Sequence, residues 1–135
     1  MEEKYINRFE SFKKNLASLN EVHGRDVSDS FVLSGAIQKF SITFDISWKV
    51  MKDVLCEHYG IIDFATGSPR ETLKKAQSNG LINDDAWLDM MSDRNLLAHD
   101  YDGEIAKEKI NTITELYIPL FINFKEKIEQ ICSTN

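Results

Sequence analysis

The sequence has few cysteines and no pattern of metal ligands, the two features that stabilise small proteins without a large hydrophobic core. Only two cysteines occur, Cys56 and Cys132, and nothing marks the chain as secreted, so the sequence predicts free thiols rather than a disulfide framework. The three histidines, His23, His58 and His99, lie far apart without the spacing of metal ligands. With 42% hydrophobic residues among 135, we expect residues 1–135 to form one domain with its own core and no cofactor or metal.

Long hydrophobic runs and clustered positive charge are also missing. No stretch approaches the roughly 20 apolar residues that a membrane span needs, and the N-terminus has no signal-like segment. This pattern predicts a cytoplasmic protein that does not enter a membrane. The formal net charge of −6 argues against a broad surface for long nucleic acids, because phosphate neutralisation needs clustered cations. Local basic groups, such as Arg70 with Lys74 and Lys75, are expected to decorate solvated helix faces.

Strand-like alternation is absent, and apolar residues instead recur at spacings of three and four, which is typical of amphipathic helices. The first predicted helix covers residues 3–20. Asp29 or Ser30 caps a second helix that runs to about Tyr59. The segment Ser68-Pro69-Arg70-Glu71 combines a serine cap, a proline at the first helical position and a glutamate three residues after the serine. It therefore predicts the start of a short third helix.

Two further helices are predicted in the second half of the chain. A fourth begins near Asp84 and presents Trp87 and other apolar residues to the core. Asp102 can cap a last helix that covers about residues 104–131, in which Pro119 is expected to produce a kink. These elements together predict an all-α fold, an up-and-down bundle of four to five helices.

The second predicted helix is apolar on two sides. One stripe faces the core, and the other runs through Ile42, Ile46, Val50 and Val54. A helix of this kind is either central in its own bundle or covers a neighbour on each side, one of which can belong to a second chain. Homodimerisation is therefore one of the two arrangements that the pattern allows.

Chemically capable side chains cluster in the segment Arg94-Asn95-Leu96-Leu97-Ala98-His99-Asp100-Tyr101, which we call the motif segment. Arg94 supplies a permanent cation, His99 a group that exchanges protons near neutral pH, and Tyr101 a phenol. Arg94 and His99 are about 140° apart around an ideal helix, so they share a face only if the helix ends between them. RNA cleavage needs a base for the 2′-hydroxyl, a cation for the charged phosphorane and an acid for the leaving oxygen. Arg94 and His99 can supply most of this chemistry without a metal.

A purely structural role for the same residues remains open from the pattern alone. An arginine near a helix end often makes surface ion pairs, and a histidine there often caps carbonyls. Acidic residues surround the motif segment, where an RNA-cutting cleft would be expected to carry lysines. They are Asp84, Asp85, Asp89, Asp93, Asp100, Asp102 and Glu104.

The motif segment resembles the R-x4-H-x-Y motif of HEPN-domain proteins, which occur in prokaryotes beside minimal nucleotidyltransferases. The neighbourhood is similar to the subgroup called nucleotidyltransferase substrate-binding proteins. This similarity rests on Gln38-Lys39-Phe40, Phe44 to Trp48-Lys49, Ser68-Pro69-Arg70-Glu71 and Asp93-Arg94-Asn95, and it spans most of the chain.

The resemblance implies a helical dimer in which the arginine and histidine of both chains meet in a cleft at the interface. It implies two different functions. In a HepT-like toxin, Arg94 and His99 would be the catalytic pair of a metal-independent endoribonuclease, with Asn95 and Asp93 in supporting positions. Tyr101 would be adenylylated by a separate nucleotidyltransferase antitoxin, which silences the toxin. In the alternative, the protein is a non-catalytic substrate-binding or scaffolding subunit of that nucleotidyltransferase.

Overall fold

The chain folds as the all-α bundle that the sequence predicts. The computed structural model describes residues 3–61, 67–100 and 102–133. The α-helices are α1 (Glu3–Asn20), α2 (Ser30–Glu57), α3 (Pro69–Ser78), α4 (Ala86–Leu97), α5 (Glu104–Thr112) and α6 (Ile118–Ser133). A 3-10 turn (Glu21–Gly24) follows α1, and a π-helical turn (Ile113–Tyr117) joins α5 to α6. No strand occurs within these ranges.

Local capping signals place the helix ends. The Asp29 side chain accepts hydrogen bonds from the amides of Phe31 and Val32, which fixes the start of α2. Ser68 accepts from the amide of Glu71 at 3.2 Å and donates to its carboxylate, which confirms the predicted start of α3. The sequence from Ile61 to Gly67 also predicts an apolar connection that packs down between α2 and α3, but it falls mainly on residues 62–66, which lie outside the described residues.

The last helix differs in one respect from the prediction of a simple kink at Pro119. The structure inserts the π-helical turn directly before the first turn of α6, which contains Pro119. Proline has no amide hydrogen, and its ring crowds the carbonyl of the preceding turn. A wider turn at this point relieves that crowding. It also places Tyr117 at the end of the π turn, on the buried side of the helix.

One aromatic cluster of the core joins α1, α4 and α6. Phe12 packs edge-on against Phe121 and Phe124, with ring centroids 6.0 Å and 5.5 Å apart. Trp87 packs edge-on against the same two phenylalanines. This cluster fixes the position of α4, the helix that carries Arg94.

The second apolar stripe of α2 divides between core and surface. Val50 and Val54 are fully buried in the chain itself, whereas Ile46 is half-buried and Ile42 is 40% exposed. Trp48 of α2 is half-buried and packs against the core. No helix in the described part of the chain is long and apolar enough to cross a bilayer.

Candidate functional site

The motif segment lies at the end of α4. The carboxylate of Asp84 accepts a hydrogen bond from the amide of Ala86 at 2.8 Å and so supports the start of this helix. After Leu97 the chain makes one further turn, in which the His99 amide donates to the carbonyl of Leu96 at 3.1 Å. The helix therefore ends between Arg94 and His99, as the spacing of the two residues requires for joint chemistry.

Arg94 is held by a partner from another helix. Its Nη2 donates to Oδ2 of Asp45, on α2, at 2.7 Å. The two side chains are 30% and 37% exposed, so the pair lies at the edge of the core, where solvent reaches both groups. The Nε of Arg94 is buried and has no hydrogen-bond partner among the described residues. The guanidinium has five N–H donors, and some of them have no partner among the described residues.

Asp93, next to Arg94 in the sequence, points inward and joins α4 to α5 and to the π-helical turn. The buried Tyr117 hydroxyl donates to one carboxylate oxygen, and Lys109 Nζ lies 3.1 Å from the other. Burial, and then the hydrogen bond to Asp93, raise the pKa of Tyr117 well above its ordinary value. Tyr117 thus stays protonated and remains a hydrogen-bond donor to Asp93. This buried network anchors the turn of α4 from which Arg94 projects.

His99 and Asn95 are both exposed, but they face different surroundings. Asn95 lines an open cavity of about 270 Å³ together with Arg94, Asp45 and Arg70. His99 is not part of that lining, and its ring makes no hydrogen bond with the residues that the structure describes. Tyr101 lies outside the described residues.

Most of the acidic residues around the motif segment are engaged in folding. Asp100 accepts from the amides of Ile105 and Ala106 at 3.1 and 2.8 Å, so it caps α5 with both oxygens. Asp102 accepts from the amide of Glu104 at 3.1 Å, as expected for a cap residue. The others with a defined role are Asp84 at the start of α4, Asp85 bonded to Gln77, Asp93 in the buried network and Glu104 paired with Lys107. Their local roles account for the acidity near the motif segment.

Asp45 and Arg70 are two site residues to which the sequence assigned no functional role. A signal for Asp45 was present, because it is the single charged residue between Lys39 and Lys49 in a helix that is otherwise rich in apolar side chains. Arg70 was interpreted as surface decoration, since only the packing of α3 against α2 and α4 brings it to Arg94. In the described ranges, no group of three or more potential metal-ligating side chains occurs.

Comparisons with known proteins give a family model, a named relative and a solved structure. A family model described as "Nucleotidyltransferase substrate binding protein like" matches residues 7–130. The chain is 30% identical over 104 residues to a protein of Haemophilus influenzae named "Probable ribonuclease HepT", a match that covers 73% of this chain and 71% of that protein. A crystal structure of a protein from Thermus thermophilus superimposes with a TM-score of 0.68 at 26% identity, over 88% of this chain and 96% of the other.

Proposed function

Because the chain belongs to the HEPN-type family of nucleotidyltransferase substrate-binding proteins, we propose that it is a metal-independent endoribonuclease of the HepT type. In this proposal His99 takes the proton from a ribose 2′-hydroxyl, which attacks the adjacent phosphorus. Arg94 stabilises the charged phosphorane, and a protonated imidazole delivers a proton to the leaving 5′-oxygen.

One observation carries the proposal: the setting of Arg94. An arginine whose only role is a surface ion pair needs no cavity and no unused donors. Arg94 instead lines a cavity, keeps a buried Nε without a partner among the described residues, and is anchored through the Asp93 network beside it. Buried polar groups are nearly always hydrogen-bonded, so an unpaired one at such a position points to a functional constraint.

A second copy of the chain completes the site in this proposal. His99 is not in the lining of the Arg94 cavity, and large apolar side chains are exposed on the motif segment and on the elements next to it. They are Ile42 at 40%, Leu96 at 51% and Leu116 at 40% exposure. Apolar side chains of this kind suit an interface between identical copies, which would bring the imidazole of one chain toward the guanidinium of the other.

Ile42→Asp is expected to convert a dimer to a monomer and to reduce RNA cleavage with it, because a carboxylate would be buried at the interface. Sedimentation velocity and a cleavage assay on the same samples measure both effects. Ile6→Asp, at an α1 position that is 41% exposed, is the matched control and should remain dimeric. A wild-type monomer with full activity would contradict the composite site.

The regulatory partner in this proposal is a separate minimal nucleotidyltransferase that acts as antitoxin. This chain lies in a family whose description names a nucleotidyltransferase, and Tyr101 follows His99 by two positions in the sequence. A tyrosine at that place, two residues after His99, would put an attached AMP group beside the catalytic imidazole. The modification would then block access to RNA.

Incubation with the partner nucleotidyltransferase and ATP is expected to add AMP at Tyr101 and to stop RNA cleavage. Intact-mass measurement before and after incubation detects the AMP group, and a cleavage assay follows its consequence. Tyr101→Phe should gain no mass and should stay active. If wild type gains the group and still cuts at its full rate, modification of Tyr101 is not the silencing step.

The second candidate function is a non-catalytic subunit that presents a substrate to the nucleotidyltransferase. The absence of His99 from the lining of the Arg94 cavity favours it, because a non-catalytic subunit needs no imidazole beside that guanidinium. The two candidates differ in one measurable property. A scaffold leaves RNA intact whether or not the partner is present.

A further inference from the structure

An open cavity is lined by residues that are distant from one another in the sequence. It has a volume of about 270 Å³ and lies between α2, the start of α3 and α4. Its charged lining consists of Arg70, Arg94 and Asp45, and the buried Phe44 and Met91 supply apolar surface. Apolar walls lower the local dielectric, so charges in the cavity act more strongly than they do in bulk water.

Arg70 has no structural role among the described residues that would explain its position. It is exposed in the first turn of α3 and makes no hydrogen bond or ion pair with any described residue. A cation at a helix N-terminus is unfavourable, because it meets the positive end of the helix dipole. Ser68 and Pro69 nevertheless fix this turn firmly, and Arg70 in that turn lines the cavity. Contacts with the described residues do not account for an arginine at this position.

Arg94 brings the second guanidinium to the same cavity. Arg94 donates one hydrogen bond to Asp45, and its other N–H groups donate to no side chain that the structure describes. Two arginines and one aspartate leave the lining with one net positive charge. A phosphodiester carries one negative charge and presents two oxygens to planar guanidinium groups, which bind such oxygens in a forked geometry.

We propose that Arg70 and Arg94 form a binding site for a backbone phosphodiester of single-stranded RNA. This inference rests on the proposed ribonuclease function and adds a substrate-binding residue, Arg70, to it. The phosphodiester, rather than a terminal phosphate, is the group that an RNA strand presents at each nucleotide of its backbone. Arg70 holds the strand, whereas Arg94 contributes both to this site and to cleavage.

Equilibrium binding of a fluorescently labelled single-stranded oligoribonucleotide tests the site. The measurements use His99→Ala protein, so that the RNA is not cut. Adding Arg70→Gln is expected to weaken binding about tenfold, the effect of one lost charge-assisted hydrogen bond. The slope of the logarithm of the binding constant against the logarithm of salt concentration should shrink by about 0.7, because one phosphate contact is lost.

Lys74→Gln in the same background is the matched control. Lys74 is an exposed cation one turn further along α3 and is not part of the cavity lining. Lys74→Gln removes the same charge outside the cavity, so its binding constant should stay within about twofold of that of the parent protein. Equal losses for the two variants, or no binding of the oligonucleotide by the His99→Ala protein, would overturn the proposal. Competition with AMP distinguishes a backbone phosphodiester from the phosphate of a free nucleotide. If AMP displaces the RNA at equal concentration, and if this displacement is lost in Arg70→Gln, the site binds a free nucleotide instead.

Cleavage by the wild-type chain separates failure of this site from failure of the proposed function. If wild type does not cut RNA but Arg70→Gln weakens binding, the phosphate site stands and the ribonuclease proposal fails. If wild type cuts RNA and Arg70→Gln binds as tightly as its parent, only the phosphate site fails. Arg70 is exposed and makes no pair with described residues, so Arg70→Gln is expected to melt at the same temperature as its parent. An unchanged melting temperature excludes misfolding as the cause of weaker binding.

Discussion

His99→Ala and Arg94→Ala are each expected to slow RNA cleavage at least about 100-fold, because each removes a group that acts only on the transition state. Neither change should unfold the protein. His99 is exposed, and the partner that Arg94→Ala leaves behind, Asp45, is 37% exposed and accessible to water. Single-turnover cleavage rates on a labelled RNA in EDTA measure the loss. Thermal melting of the same samples verifies the fold.

Matched replacements elsewhere distinguish a catalytic loss from a general one. His58→Ala removes an exposed histidine after the end of α2, and Arg25→Ala removes an exposed arginine that pairs with Glu21 at 3.5 Å. Both variants should cut within about twofold of the wild-type rate, because exposed pairs contribute little. Arg94→Lys should recover only part of the activity, since lysine keeps the charge and loses the planar fork. A His99→Ala protein that cuts at the wild-type rate would contradict the roles proposed here.

Asp93→Ala is expected to lower the free energy of unfolding by about 3 kcal/mol, the usual cost of removing one partner from a buried charged network. The change leaves the Tyr117 hydroxyl and the Lys109 ammonium without their shared carboxylate. Urea denaturation followed by circular dichroism measures the difference. Because Asp93 anchors the turn that carries Arg94, the folded fraction of this variant should also cleave RNA more slowly.

Two comparisons test whether the loss belongs to the network. Asp89→Ala, which changes an exposed aspartate one turn earlier on α4, should alter stability by no more than about 0.5 kcal/mol. Tyr117→Phe should lose less than Asp93→Ala, and the double variant should lose less than the sum, as expected for residues that act together. Asp93→Ala and Asp89→Ala proteins of equal stability would show that the anchor is unimportant.

The helices and most of their ends could be predicted from the sequence because they depend on local interactions. Asp29 and Ser68 cap the helices that follow them, and Gly60 takes the positive φ of 72° that ends α2. The π-helical turn before Pro119 could not be predicted in the same way. A proline indicates a disturbance of the helix, but whether the chain kinks or widens depends on how the residues around it pack.

The candidate site could be predicted only where its residues are neighbours in the chain. Arg94, Asn95 and His99 stand in one segment, and their spacing shows that Arg94 and His99 share a face only if the helix ends between them. Asp45 pairs with Arg94 across 49 positions of sequence, and Tyr117 reaches Asp93 across 24. Such pairs follow from the packing of whole helices, for which a single sequence carries little information. The acidic surroundings were visible in the sequence, but their use as caps and anchors was not.

The most direct test of the central claim is cleavage of one RNA in EDTA by the wild-type chain, beside the same RNA with a 2′-deoxy sugar at the cut position. A histidine that activates the 2′-hydroxyl without a metal yields a 2′,3′-cyclic phosphate and a 5′-hydroxyl. The account predicts those ends from the natural RNA and no cut in the 2′-deoxy RNA. Cutting of both substrates, or an intact natural RNA, would contradict it.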